Sequence, residues 1–297
     1  MNCVVVCNSG SDSVSKINIE NMEVKTLKLF LEGNLYGPHE LTRYKGKILT
    51  ANNYNNSMSV IDVKNFSEEK NLYIGAHPND IGVYKDKVYI LCGDSDSIIV
   101  YDLINEKIQY QIKTGMYPHS IALINDIGFV ANMYEDTIGV IDCIKNTYTH
   151  SIRVGNNPMK IKISKDNKYL YICVSNLEYD QKGYISIMDL ELLKVICKIE
   201  VGFMPVDIYE YENYLYVCNL CSGYISVINL DTFTEEDIII CGGMPRGIIR
   251  YKENLFICDY LNNMLKIVDK NYNIIKAITL GKEPSAMTFI KDSTDKL

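Results

Sequence analysis

Short runs in which apolar and polar residues alternate recur along the whole chain, as in Met58-Ser59-Val60-Ile61-Asp62 and Ile225-Ser226-Val227-Ile228-Asn229. Alternation of period two predicts β-strands with one buried face. Ahead of each such strand lies a more continuously apolar, β-rich run: Lys47–Asn52, Val88–Cys92, Phe129–Asn132 and Leu215–Asn219 are examples. Behind it comes another strand-like segment, such as Lys107-Ile108-Gln109-Tyr110-Gln111-Ile112. Every alternating strand ends on Asp or Asn, at Asn18, Asp62, Asp102, Asp142, Asp189, Asn229 and Asp269. Short Asx side chains bond their own backbone and start tight turns, so this column is turn chemistry rather than catalysis. No segment carries a helical pattern.

The prolines count the units. Pro38, Pro78, Pro118, Pro158, Pro205, Pro245 and Pro284 are the only prolines, spaced by 40, 40, 40, 47, 40 and 39 residues. Three residues after each comes an apolar side chain: Leu41, Ile81, Ile121, Ile161, Ile208, Ile248 or Met287. Three residues before it stands Gly75, Gly115, Gly155, Gly202, Gly242 or Gly281, while the first repeat uses Gly33 and Gly37. Glycine at that place is expected to supply unusual backbone angles, and proline to occupy a first strand position that needs no ladder donor. A period near forty built of four short strands, with no helix, rejects helical arrays and predicts an all-β, seven-bladed β-propeller. Residues 1–297 then form a single propeller domain. Blade 1 combines residues 2–30 with 284–290, so the C-terminal strand closes the ring on the N-terminal blade and covers edges otherwise exposed. Blades 2–7 begin near Pro38, Pro78, Pro118, Pro158, Pro205 and Pro245.

The copies Phe129-Val130-Ala131-Asn132…Ile138-Gly139-Val140-Ile141-Asp142 and Leu215-Tyr216-Val217-Cys218-Asn219…Ile225-Ser226-Val227-Ile228-Asn229, with the Val201-Gly202-Phe203-Met204-Pro205 turn, resemble the YVTN-repeat (YncE-like) seven-bladed propellers over essentially the whole chain. The resemblance implies the fold and says little of function, because that family includes binding proteins and accessory subunits.

Charge and cysteine narrow the setting. Lys+Arg 30 against Asp+Glu 37 leaves a formal charge of −7 with no basic tract, which argues against nucleic acid as a partner. No run approaches the roughly 18 apolar residues of a membrane-spanning helix, and the opening residues lack a basic n-region. The ten cysteines are therefore expected reduced in the cytoplasm. Cys7, Cys173, Cys218 and Cys258 share one repeat column with Ala51, Leu91 and Ala131, the mark of a small buried packing position. Cys218-Asn219-Leu220-Cys221 is a single C-x-x-C without the two further ligands zinc needs.

Of four histidines, three sit beside repeat prolines: His39, His77 and His119, in consecutive blades. The innermost strand of a propeller blade begins at a channel mouth, so these imidazoles are expected around one opening. Positions either side of the proline share strand parity, which predicts a common facing. The next column adds Glu40, Asp80, Lys160 and Asp207, and Arg246 holds the place of His39 and His119. Tyr54, Tyr134 and Tyr260, from loops between second and third strands, are expected to wall the same mouth, with Asp259 beside them. Five extra residues within Leu177–Gly183 bring Glu178, Tyr179 and Asp180 there. His150 falls on an outer strand. The candidate ligand-binding set is thus His39, Glu40, Tyr54, His77, Asp80, His119, Tyr134, Asp207, Arg246 and Asp259. Hydrophilic filling of a solvated mouth accounts for the same pattern without a ligand.

Gly37-Pro38-His39-Glu40-Leu41 and Tyr117-Pro118-His119-Ser120-Ile121 also resemble the Pro-His-x-Ile turns of streptogramin lyase propellers. That resemblance implies a mouth histidine, His39 or His119, acting with acidic residues and a divalent metal in an elimination. The column after the second strand reads Asn52, Asn132 and Asn219 where acids are expected, and the chain has no tryptophan for that family's Trp-Phe-Thr-Glu signature. The sequence favours a non-catalytic scaffold that binds a small molecule or peptide, or a protein partner, at its channel mouth. The alternative is a metal-assisted lyase or hydrolase acting at the same place.

Overall fold

The computed structural model describes residues 2–29, 35–177 and 180–291. Within them the chain forms seven four-stranded antiparallel sheets. Each of the seven prolines opens an innermost strand: Pro38–Tyr44, Pro78–Tyr84, Pro118–Ile124, Pro158–Ile163, Pro205–Tyr211, Pro245–Tyr251 and Pro284–Ile290. The last of these pairs antiparallel with Cys3–Asn8, matching Cys3 to Ile290 and Val6 to Met287, and so closes the ring within blade 1. That blade is completed by Ser13–Asn18 and Val24–Lys28. Among the described residues no α-helix occurs, only single 3-10 turns at Ser9–Ser11 and Gly93–Ser95. No helix there is long and apolar enough to cross a membrane. Gly33, Glu178 and Tyr179 lie outside the described residues.

Alternation does its work between blades. Val4 and Val6 pack against Phe256 and Leu265 of blade 7, whereas Val5 between them packs against Ile48 and Ile61 of blade 2. Seven such apolar clusters occupy the seven blade-to-blade interfaces, including both sides of the closure. Each fully buried Val or Ile contributes about 1.5–3 kcal/mol, so the ring is held by its interfaces rather than by a central core. Cys7, Cys173, Cys218 and Cys258 are buried within those interfaces beside Ala51, Leu91 and Ala131. Cys221, by contrast, is exposed, so the two thiols of the C-x-x-C are separated by the protein surface.

All seven Asx residues that end the third strands accept a backbone N–H from the following turn, for example Asn65 N–H to Asp62 Oδ1 at 2.7 Å and Glu191 N–H to Asp189 Oδ1 at 2.9 Å. The glycines before the prolines act differently from expectation. Gly37, Gly155 and Gly242 have positive φ; Gly202 and Gly281 are instead needed for close approach, since a Cβ there would come within 2.7 Å of Asn219 and 2.8 Å of Asn8. The left-handed conformation falls on the residue just before the proline, at His77 (φ 53°), Tyr117 (φ 52°) and Asn157 (φ 54°) among others.

Candidate functional site

The innermost strands break alternation at their start. Pro38 faces Asn52 and Glu40 faces Ala51, leaving His39 as the extra residue of a β-bulge. The same shift follows the prolines of blades 3 to 7. A bulge sets two neighbouring residues against one partner and re-aims their side chains. Adjacent residues that strict alternation would send to opposite faces therefore both reach the channel: His39 with Glu40, Met159 with Lys160, and Val206 with Asp207 line one cavity of about 40 Å³. His119, Arg246 and Ser285 complete its polar side, while Met159, Met204, Val206 and Leu220 form an apolar wall.

The two histidines here are held alike. His39 Nδ1 lies 2.9 Å from the Asn79 carbonyl and His119 Nδ1 lies 2.7 Å from the Met159 carbonyl, each in the next blade. A carbonyl only accepts, so both Nδ1 atoms carry the proton and both Nε2 atoms present a lone pair. Arg246 then donates from Nη2 to His39 Nε2 at 2.6 Å. Its side chain reaches from blade 7 to blade 2 past the small Ser285-Ala286 pair of blade 1, with the guanidinium carbon 5.0 Å from the Tyr260 ring centre. The imidazoles meet edge to face at 5.9 Å. Burial, then the charge of Arg246 and the neighbouring His119, holds His39 well below the usual imidazole range. Burial, with Arg246 and Lys160 adding to it against the Met159 hydrogen bond, pushes His119 down to about 4. Both rings are neutral at pH 7.

One layer deeper, Lys160 of blade 5 crosses the channel to Glu40 of blade 2, Nζ to Oε1 2.6 Å, and lies 3.5 Å from Asp80 of blade 3. Asp80 accepts from Ser120 Oγ and the Ile121 N–H, and Asp207 pairs with Lys162 at 3.2 Å. Burial works against the Lys160 charge, but Asp80, Glu40 and Asp207 together raise its pKa. Burial pushes Glu40 up to about 7, Lys160 opposing and Asp80 adding to the rise. Lys160 and Lys162 face three carboxylates, which leaves the layer one positive charge short and poised to hold a proton on Glu40. Beyond it opens a second cavity of about 350 Å³ that shares Glu40, Lys160 and Asp207 with the first.

The expected residues thus divide. His39, Glu40, His119, Asp207 and Arg246 converge on one cavity, and Asp80 joins them through Lys160. Tyr134 packs tilted against Tyr117 with ring centres 4.8 Å apart, and Tyr117 in turn lies 6.5 Å from the His119 ring. Tyr54 stands on the other side, against Gly37 and near Tyr260. His77 does not join: its left-handed backbone removes it from strand parity, and its ring lies beside Tyr117 at 5.9 Å. Asp259 is committed elsewhere, paired with Lys266 at 2.5 Å and accepting the N–H groups of Met244 and Asn262. The Asn residues of its column are likewise structural, Asn52 Nδ2 donating to Ser57 and Ser59, and Asn219 Nδ2 to Ser226. His150 is exposed on its outer strand. Sequence reasoning missed Tyr117 and the apolar wall. Reading the residue after each proline as one column, His39, Asn79, His119, Met159, Val206, Arg246 and Ser285, exposes the polar-to-apolar division.

No protein-family model matches the chain, and no curated protein matches it in sequence. Solved structures do. Kuenenia stuttgartiensis hydrazine synthase aligns over 90 % of this chain and 100 % of its own matched chain, with 16 % identity and a TM-score of 0.71. A proposed 6-phosphogluconolactonase from Bacteroides fragilis covers 98 % of both chains at 14 % identity and a TM-score of 0.78. Apo AztD from Citrobacter koseri covers 97 % of both at 11 % identity and a TM-score of 0.67. The likeness is one of fold. At such identities the seven-bladed propeller is what these proteins share with the chain, and their activities do not transfer with it.

Proposed function

We propose that this propeller is a non-catalytic binding protein of the YVTN-repeat type that holds a small organic anion at its channel mouth, with Arg246 as the anchor. One observation carries the reading: Arg246 is half-buried and has no carboxylate within ion-pair distance among the described residues. Among the described residues its one hydrogen bond is to neutral His39, which leaves Nε and Nη1 to donate to a ligand. A guanidinium is always charged, and its planar fork matches a carboxylate. Leaving such a charge partly desolvated and unpaired is costly, and an anionic ligand removes that cost.

The donors do not fit the divalent ion of a lyase. His39 has no lone pair left, Nδ1 being protonated toward Asn79 and Nε2 taken by Arg246. Only His119 Nε2 is open, and the nearby carboxylates are held by Lys160, Ser120 and Lys162.

Calorimetric titration with 4-methylpentanoate tests the anchor. Arg246→Leu is expected to weaken binding at least tenfold with an unchanged melting temperature, and equal binding by both proteins would refute the assignment. We place the protein in the cytosol because all ten cysteines are free thiols, eight of them buried. Thiol titration of protein unfolded without reductant is expected to count ten reactive groups, and a lower count reproduced in fresh preparations would contradict that compartment.

A further inference from the structure

The cavity offers a donor and an acceptor of fixed kind, and together they describe the molecule that complements them. Arg246 presents unpaired N–H groups. His119 presents the reverse: Nδ1 donates to the Met159 carbonyl, which leaves Nε2 as a lone pair with no partner among the described residues. A carboxylate alone answers Arg246 and leaves His119 unanswered, because a carboxylate oxygen cannot donate. From these two groups on one cavity wall we infer that the mouth is built for a hydroxycarboxylate: its carboxylate lies on Arg246 and the neighbouring hydroxyl donates to His119 Nε2. The inference rests on the anion-binding reading and adds the second functional group.

The surroundings sharpen the class. The donor at His119 is a neutral hydroxyl rather than an ammonium, because the positive charges of Arg246 and Lys160 outweigh the opposing Asp80 at that ring and disfavour a further cation. The anion is a monoanion rather than a phosphate dianion, because the Glu40–Lys160 pair and Asp207 line the same cavity from beneath and add no net positive charge to that of Arg246. Met159, Met204, Val206 and Leu220 ask for an aliphatic group on the remaining side. At about 40 Å³ the cavity takes the head of such a molecule, leaving its body in the mouth between the Tyr117–Tyr134 pair and Tyr260.

Titration of the wild-type protein with 2-hydroxy-4-methylpentanoate, 3-hydroxy-4-methylpentanoate, 4-methylpentanoate, leucine and inorganic phosphate tests this. One or both hydroxy acids are expected to bind roughly five- to tenfold more tightly than the deoxy acid, the value of one well-placed hydrogen bond. Leucine and phosphate are expected to bind more weakly than the better hydroxy acid. In His119→Phe the hydroxyl advantage is expected to vanish while binding of 4-methylpentanoate persists, which also shows that the variant is folded. Equal affinities for hydroxy and deoxy acids would overturn the hydroxyl assignment and leave the Arg246 anchor standing. Tightest binding by leucine or phosphate would overturn the class. Failure of every anion to bind would overturn the anion reading itself.

Discussion

His39 and His119 make the same inter-blade hydrogen bond two blades apart, yet only His39 has its second nitrogen covered, because Arg246 is long enough to cross blade 1. Each imidazole is therefore first a staple of the ring, and His119 alone keeps a free acceptor. Glu40 is the residue whose protonation the surroundings disturb in the physiological range. Its carboxyl titrates near 4.5 in an unfolded chain and about 7 in the folded one. Between those values the folded state keeps a proton that the unfolded state has released, so stability is fully present below about 4.5 and is lost as pH rises through 7. From pH 6 to pH 8 this one group is expected to remove about 1.4 kcal/mol. Urea unfolding of Glu40→Gln at both pH values is expected to show that slope reduced by about this amount; a slope equal to wild type would rule out Glu40 as its source.

At the scale of the element, the strand order and the turn after each third strand were legible because each rests on local chemistry repeated seven times, and the ring closure because the N-terminal unit lacks the inner strand that the C-terminal segment supplies. Asn18 to Asp269 bond their own turns and need no neighbour to do so. The bulge was not legible. Pro38-His39-Glu40 reads as ordinary alternation, and only pairing with Asn52 and Ala51 reveals that His39 is the extra residue. That one step decides which side chains share the cavity, which is why Glu40 and His39 face the same space. Parity failed for a related reason at His77, whose left-handed backbone answers to the turn entering its blade, held by the His77 N–H on Asn56 Oδ1 at 2.9 Å. Asp259 was misplaced because its partner, Lys266, is distant in the repeat pattern and close only across the hairpin.

The whole molecule depends on a seam that no covalent bond closes. Pro284–Ile290 supplies the inner strand of blade 1 and also packs Met287 and Phe289 against blade 7. Removing the residues after Gly281 strips that strand from Cys3–Asn8 and opens two interfaces at once. The truncated protein is expected to melt roughly 10 °C lower or more, or to lose its cooperative transition. A melting curve by circular dichroism that matches the full chain would show that the other interfaces suffice.

The Glu40–Lys160 crossing has a kinetic consequence. Glu40, Lys160 and Asp207 line both cavities, so a solute moving from one to the other along the axis has to part the Glu40–Lys160 pair. Exchange across that pair is therefore expected to be slower than exchange past the tyrosines at the mouth.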